Sequence, residues 1–140
     1  MGHSAAGLTY LALSHYHYDH TANANGFPRA TWLVGQAERD AMFAAPPPAV
    51  TLPSTYAGLR NNQTRIIDRD DFDVFGDSTV VIKSAPGHTP FHHVLHVTLA
   101  KTGGVVLSGD LYHYEAARAL KRLPTFDVDQ TQSALTRATV

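Results

Sequence analysis

Apolar and polar positions along this chain repeat with two different periods, and each change of period marks an element. The run Leu8-Thr9-Tyr10-Leu11-Ala12-Leu13 is short, apolar and bounded by polar residues, which predicts a buried strand over 9–13. A short helix is predicted over 21–25, ended by Gly26-Phe27-Pro28, a combination that does not continue a helix. Thr31-Trp32-Leu33-Val34 reads as the next strand. Residues 36–44 read as a helix with Ala37, Ala41 and Ala45 along one side and Met42 and Phe43 beside them. Pro46-Pro47-Pro48 then breaks the chain. From 49 to 64 periodicity is poor, and the stretch is either a plain connector or a loop with one helical turn around 56–60.

Strands resume at 65–67, 72–75 and 79–84, with Gly76-Asp77 as a hairpin turn in a meander. Over 94–100 the alternation puts Leu95, Val97 and Leu99 on one face and His96 and Thr98 on the other. His96 is therefore read as a sheet-face residue rather than a metal ligand. Lys101-Thr102-Gly103-Gly104 turns the chain into a strand at 105–107, closing a hairpin that delivers Asp110. A helix is predicted over 129–138 with Asp129 as its N-cap. The β/α rhythm shows no internal repeat and predicts one α/β domain over 1–140.

Composition adds a constraint on the surface. At 140 residues with 44% hydrophobic positions the chain is long enough for one core. Charged residues make up 16%, against about 25% in typical globular chains. Too little of the chain is built to face water, so an exposed apolar patch, and self-association through it, is expected. The formal net charge of −1, with eleven scattered Lys and Arg, argues against a nucleic-acid surface. There is no cysteine, which leaves metal binding to His and Asp and is compatible with a reducing, cytoplasmic setting. The run over 8–13 is too short to span a bilayer, and the Met1-Gly2 start carries no targeting or myristoylation pattern. No membrane partner is expected.

The densest chemistry lies in His15-Tyr16-His17-Tyr18-Asp19-His20. Histidines one residue apart project to the same side of an extended chain, so His15 and His17 can grip one ion, while Asp19 and His20 turn away from that pair and can hold a second. Imidazole and carboxylate both suit zinc. The plainer alternative, surface histidines in a polar loop, fits poorly with four ligand-type residues among six. Two further turns follow apolar strands: Ala85-Pro86-Gly87-His88-Thr89-Pro90, which offers a histidine, and Ser108-Gly109-Asp110, which offers a carboxylate.

The H-x-H-x-D-H run at 15–20, Gly87-His88-Thr89-Pro90 and Ser108-Gly109-Asp110 together resemble the metallo-β-lactamase-fold hydrolases. The stretch Leu111-Tyr112-His113-Tyr114, then Arg122-Leu123-Pro124-Thr125-Phe126-Asp127, and the 22-residue step from His88 to Asp110, resemble the N-acyl homoserine lactonase branch. The resemblance implies a partial αββα sandwich with mixed sheet and flanking helices. It also implies two zinc ions: His15, His17 and His88 on the first, Asp19 and His20 on the second, Asp110 bridging. A metal-bound hydroxide would then attack the carbonyl of a small-molecule lactone or ester. Asp19 would orient the hydroxide and pass a proton to the leaving group. Glyoxalase II-like thioesterases and true β-lactamases share the same loop and stay open as alternatives, as does a truncated, inactive remnant binding one zinc or none.

The chain also departs from the family pattern. No histidine follows His113, so the last ligand of the second zinc is missing. Only fourteen residues precede His15, where the family has an N-terminal sheet layer, so a fragment lacking that layer is expected. Phe91 replaces a glycine and would crowd its turn if positive φ were needed there. His113 stands where lactonases carry a tyrosine, with Tyr112 one position earlier. His113 is thus a candidate catalytic residue and the one candidate to replace the lost ligand. His92 is expected to support a ligand by hydrogen bonding, His93 to lie at the surface, and His3 to be irrelevant.

Overall fold

The computed structural model describes residues 4–140; His3 and the Met1-Gly2 start lie outside them. The chain divides into two compact units, residues 1–68 and 69–140.

In the first unit, β1 (Tyr10–Ala12), β2 (Thr31–Gly35) and β3 (Thr64–Ile67) form a parallel sheet in the order β1-β2-β3, with Leu11 beside Trp32 and Leu33 beside Arg65. The central strand is buried almost throughout, as expected for a parallel strand covered on both faces. Around it pack Tyr16, Ala24, Trp32, Val34, Met42, Tyr56 and Leu59. Tyr56 donates its hydroxyl to the Met42 carbonyl at 2.9 Å, tying the end of α2 (Gln36–Met42) to the connector. That connector holds 3-10 turns at Pro53–Thr55 and Ala57–Asn61. The guanidinium of Arg60 lies 4.3 Å over the Phe43 ring.

One sequence expectation is corrected here. The helix expected over 21–25 forms earlier, as α1 (Tyr18–Thr21), followed by a separate 3-10 turn at Ala24–Gly26. Asp19 falls in the first turn of α1, where a carboxylate suits the helix dipole, and Asn23 with Gly26 favours a turn beyond it. Within α2, Ala37 is exposed, Ala41 packs partly buried against the core, and Glu38 with Met42, one helical turn apart, are buried; Ala45 lies beyond the helix and is exposed. Glu38 is buried because its carboxylate has a backbone partner, which a polarity pattern does not reveal.

In the second unit, β4 (Asp71–Asp73), β5 (Val80–Ser84), β6 (His93–Leu99) and β7 (Gly103–Leu107) form an antiparallel meander in that order. The turn between β4 and β5 is held by Asp73, whose carboxylate accepts from the backbone N–H groups of Phe75, Gly76 and Ser78. One cross-strand row runs Phe72, Ile82, Leu95, Leu107. Its first two members are buried and its last is 56% exposed, so burial follows strand order toward β7 more than the two-residue alternation. Leu99 and Val106 are exposed as well. His93 is corrected from surface to core: it is buried at the start of β6, beside Val94.

Two helices complete this unit. α3 (Glu115–Ala119) was not expected, although Glu-Ala-Ala-Arg-Ala is strongly helix-forming. α4 (Gln130–Thr139) begins where expected, with the Asp129 carboxylate accepting from the Gln132 N–H at 2.8 Å. The turn Pro86-Gly87-His88 lies against it. Gly87 has φ +127°, and a Cβ there would run into the backbone nitrogen of Ser133, so close approach and backbone conformation both demand glycine.

Candidate functional site

In the first unit, β1 leads straight into the histidine loop, and the side chains gather tightly. His15 is fully buried and His17 is 5% exposed. The Nε2 of His15 lies 2.9 Å from the Nδ1 of His17, with the rings edge to face. Two nitrogens bound to one tetrahedral zinc at the usual bond length stand about 3.3 Å apart. The pair therefore fits one ion with a small opening.

His20 does not turn away from this pair. Its ring centroid is 4.1 Å from that of His15, and Ser14 Oγ lies 2.9 Å from His20 Nδ1 and 3.1 Å from His15 Nδ1. Asp19, on α1, is largely exposed and lies 3.6 Å from His20 Nε2. From α2, the buried Glu38 accepts the Tyr16 backbone N–H at 2.8 Å. That bond grips the loop between its two leading histidines.

In the second unit, His88 and Asp110 come together from the Gly/Pro turn and the end of the β7 hairpin. His88 Nε2 is 3.5 Å from Asp110 Oδ2, and His113 Nε2 is 3.2 Å from the same oxygen. On its other side His88 Nδ1 meets Asp127 Oδ1 at 2.8 Å. Burial pulls the His88 imidazole down, but the hydrogen bonds and charges of Asp110 and Asp127 outweigh it and leave it above the ordinary histidine value.

His92 behaves as a support. Its Nδ1 faces the Ala85 carbonyl at 3.2 Å, and its Nε2 accepts the Asp110 backbone N–H at 3.1 Å. This fixes a neutral tautomer in which Nδ1 carries the proton. Burial, with the charges of His88 and His93, pushes its imidazole down to about 3. Phe91 does not show positive φ, so its turn accepts a side chain there. His96 lies mid-strand between Val81 and Val106. Beside His113, an open groove of about 460 Å³ is lined by Tyr114, Leu123, Pro124 and Phe126, with Arg122 among them.

Sequence reasoning missed Glu38 and gave Asp127 no role. Their partners lie 22 and 39 residues away, and no local pattern links either pair.

Comparison with known proteins fits these two clusters. Residues 4–139 match the Metallo-beta-lactamase superfamily. The N-acyl homoserine lactonase AttM of Azorhizobium caulinodans is 32% identical over 122 residues, covering 79% of this chain and 43% of that protein. The crystal structure of an N-acyl homoserine lactone hydrolase, with N-hexanoyl-L-homoserine bound at its catalytic metal center, superposes with a TM-score of 0.84 at 22% identity. That match covers 99% of this chain and 52% of the other. AidC, described as a dizinc quorum-quenching lactonase, superposes with a TM-score of 0.69 at 21% identity, over 99% of this chain and 54% of its own. The chain thus spans about half the length of the relatives it matches. With its three motifs in family order, and nearly every residue within the family match, the chain belongs to the metallo-β-lactamase superfamily.

Proposed function

We propose that this chain carries the metal-binding part of a zinc-dependent hydrolase acting on a small lactone or ester, its two units forming one metallo-β-lactamase-like domain. In this reading His15, His17 and His88 would hold the first zinc, Asp19 and His20 would contribute to the second, and Asp110 would serve both. The observation that carries it is the buried pair of imidazole nitrogens, His15 Nε2 and His17 Nδ1, 2.9 Å apart. Two nitrogens this close, both shielded from water, form a donor set that a divalent cation satisfies. Kinship with the AttM lactonase and the dizinc AidC supports both the metal and the substrate class.

Zinc, when bound, supplies Lewis acidity for the carbonyl and acidifies the attacking water. The remaining work falls to side chains. Asp19, exposed beside His20, is placed to hold the attacking water and to carry a proton to the leaving oxygen. His113, on Asp110 at 3.2 Å, takes the place where lactonases carry a tyrosine, and it either donates to the substrate carbonyl or serves as a further ligand of the second ion. The apolar groove beside it accommodates the acyl portion of the substrate. A thioester substrate of the glyoxalase II kind requires the same donor set and differs only in leaving group.

The second reading is a one-zinc or metal-free binding module. Zinc content measured with turnover of lactone, ester and thioester substrates separates the two. Two ions per chain with lactone or ester hydrolysis support the enzyme; one or none with no turnover supports the module. A cysteine-free composition is compatible with a cytoplasmic setting, and no helix among the described residues is long and apolar enough to cross a membrane. The exposed Leu99, Val106 and Leu107 support self-association along β7.

A further inference from the structure

Asp127 is an unremarkable acidic residue in sequence, seventeen positions past Asp110. In the structure its side chain is 1% exposed, and its Oδ1 lies 2.8 Å from His88 Nδ1. A carboxylate rarely sits so deep without a partner, and here the partner is the side of His88 that faces away from Asp110. We propose that Asp127 is a positioning residue that fixes the ring and tautomer of His88, so that Nε2 is the nitrogen presented to metal. The inference rests on the reading of His88 as a zinc ligand.

Three features of the chain hold Asp127 in that role. The backbone N–H groups of Val128 and Asp129 donate to the carbonyls of His88 and Gly87 at 3.3 and 2.9 Å, so the segment carrying Asp127 is stitched to the turn carrying His88. α4 is pinned to the same turn by Thr136 Oγ1, which donates to the Pro86 carbonyl at 2.7 Å. Gly87 lets that turn lie flat against Ser133. An ionised carboxylate only accepts hydrogen bonds, so in a neutral His88 the closer and more deeply buried carboxylate, Asp127 at 2.8 Å, holds the proton on Nδ1 and leaves the Nε2 lone pair for a metal ion. Asp110 is the weaker partner: its carboxylate is 3.5 Å from Nε2, and its side chain is more open, at 21% exposure. The division is between one carboxylate that faces the metal and one that aims the ligand.

The test uses the 140-residue chain with Asp127→Ala and Asp127→Asn. Long-range proton–nitrogen correlation spectra of the metal-free protein at pH 8.5 read the His88 tautomer, and competition with a chromophoric chelator reads zinc affinity. Wild type is expected to show the proton on Nδ1. Asp127→Asn, whose side-chain oxygen still accepts, should keep that tautomer and bind zinc within about threefold of wild type. Asp127→Ala should populate both tautomers and lose roughly 10–100-fold in zinc affinity. The proposal is overturned if wild type carries the proton on Nε2, or if Ala and Asn variants lose affinity equally. The wild-type spectrum decides even if Asp127→Ala fails to fold. Failure of wild type to bind zinc would sink the hydrolase reading and leave the tautomer result standing on its own.

Discussion

Glu38→Ala tests whether the histidine loop is held from behind. The Glu38 carboxylate accepts the Tyr16 N–H at 2.8 Å, and Glu38 and Tyr16 are 2% and 3% exposed, so no solvent is at hand to replace the lost acceptor. A hydrogen bond to a charged group contributes about 1.5–3 kcal/mol, and an orphaned buried donor costs about 1–3 kcal/mol. These overlap, and a net loss of about 2–3 kcal/mol is expected on urea unfolding of the metal-free chain. Tyr16 lies between His15 and His17, so freeing its amide loosens both. Partners behind a ligand typically contribute 10–100-fold to affinity; because this contact acts through the backbone, a loss of about tenfold is expected, near 1.4 kcal/mol. Glu38→Gln keeps an acceptor oxygen and should stay within about 1 kcal/mol in stability and about threefold in zinc affinity. If the Ala variant unfolds more easily yet binds zinc as wild type does, Glu38 merely supports the core. If Gln falls as far as Ala, the hydrogen bond is not what matters.

Three further outcomes follow from the second unit and the ligand set. Gly87→Ala should lower stability by at least about 2 kcal/mol, because it combines a left-handed backbone with collision against Ser133; a thermal midpoint matching wild type would contradict that. Burial pushes the His93 imidazole down to about 4 from its ordinary 6.5. Below pH 6.5 the unfolded chain therefore takes up a proton that the folded chain refuses, and stability falls as pH drops. Between pH 7.5 and 5.0 wild type should lose about 2 kcal/mol more than His93→Phe in urea titrations; parallel pH profiles would show that His93 is charged or accessible. His17→Ala should lower zinc binding by at least about tenfold, and His96→Ala should leave it unchanged. Equal losses in isothermal titration would disqualify the ligand assignment.

How much was legible in the sequence depended on how local each signal is. The helix capped by Asp129, the strand at Thr31–Gly35 and the hairpin reaching Asp110 were readable because a cap, an apolar run or a turn declares itself within a few residues. The onset of α1 was misplaced because His17, its N-cap residue, makes no side-chain capping bond. His93 was misassigned because alternation describes which face a residue takes. In this meander the position along the sheet decides burial, from the covered start of β6 to the exposed edge at β7.

The same distinction divides the candidate site. His15, His17, His88 and Asp110 stand out in sequence because ligand-type residues crowd a six-residue loop and two small-residue turns. Glu38 and Asp127 do not, since a single acid in a helix or loop is commonplace and ordinarily faces water. What sets them apart is burial against one specific partner, a backbone amide for Glu38 and an imidazole for Asp127. Each places a fixed acceptor behind the groups that would bind metal, one in each unit. A ligand needs only the right atom, but its aim needs a second residue already held in place by the fold. Substitutions at such supporting acids should therefore alter affinity and tautomer while leaving the recognisable motifs intact. A chain can then keep the family's signature and still lose its metal.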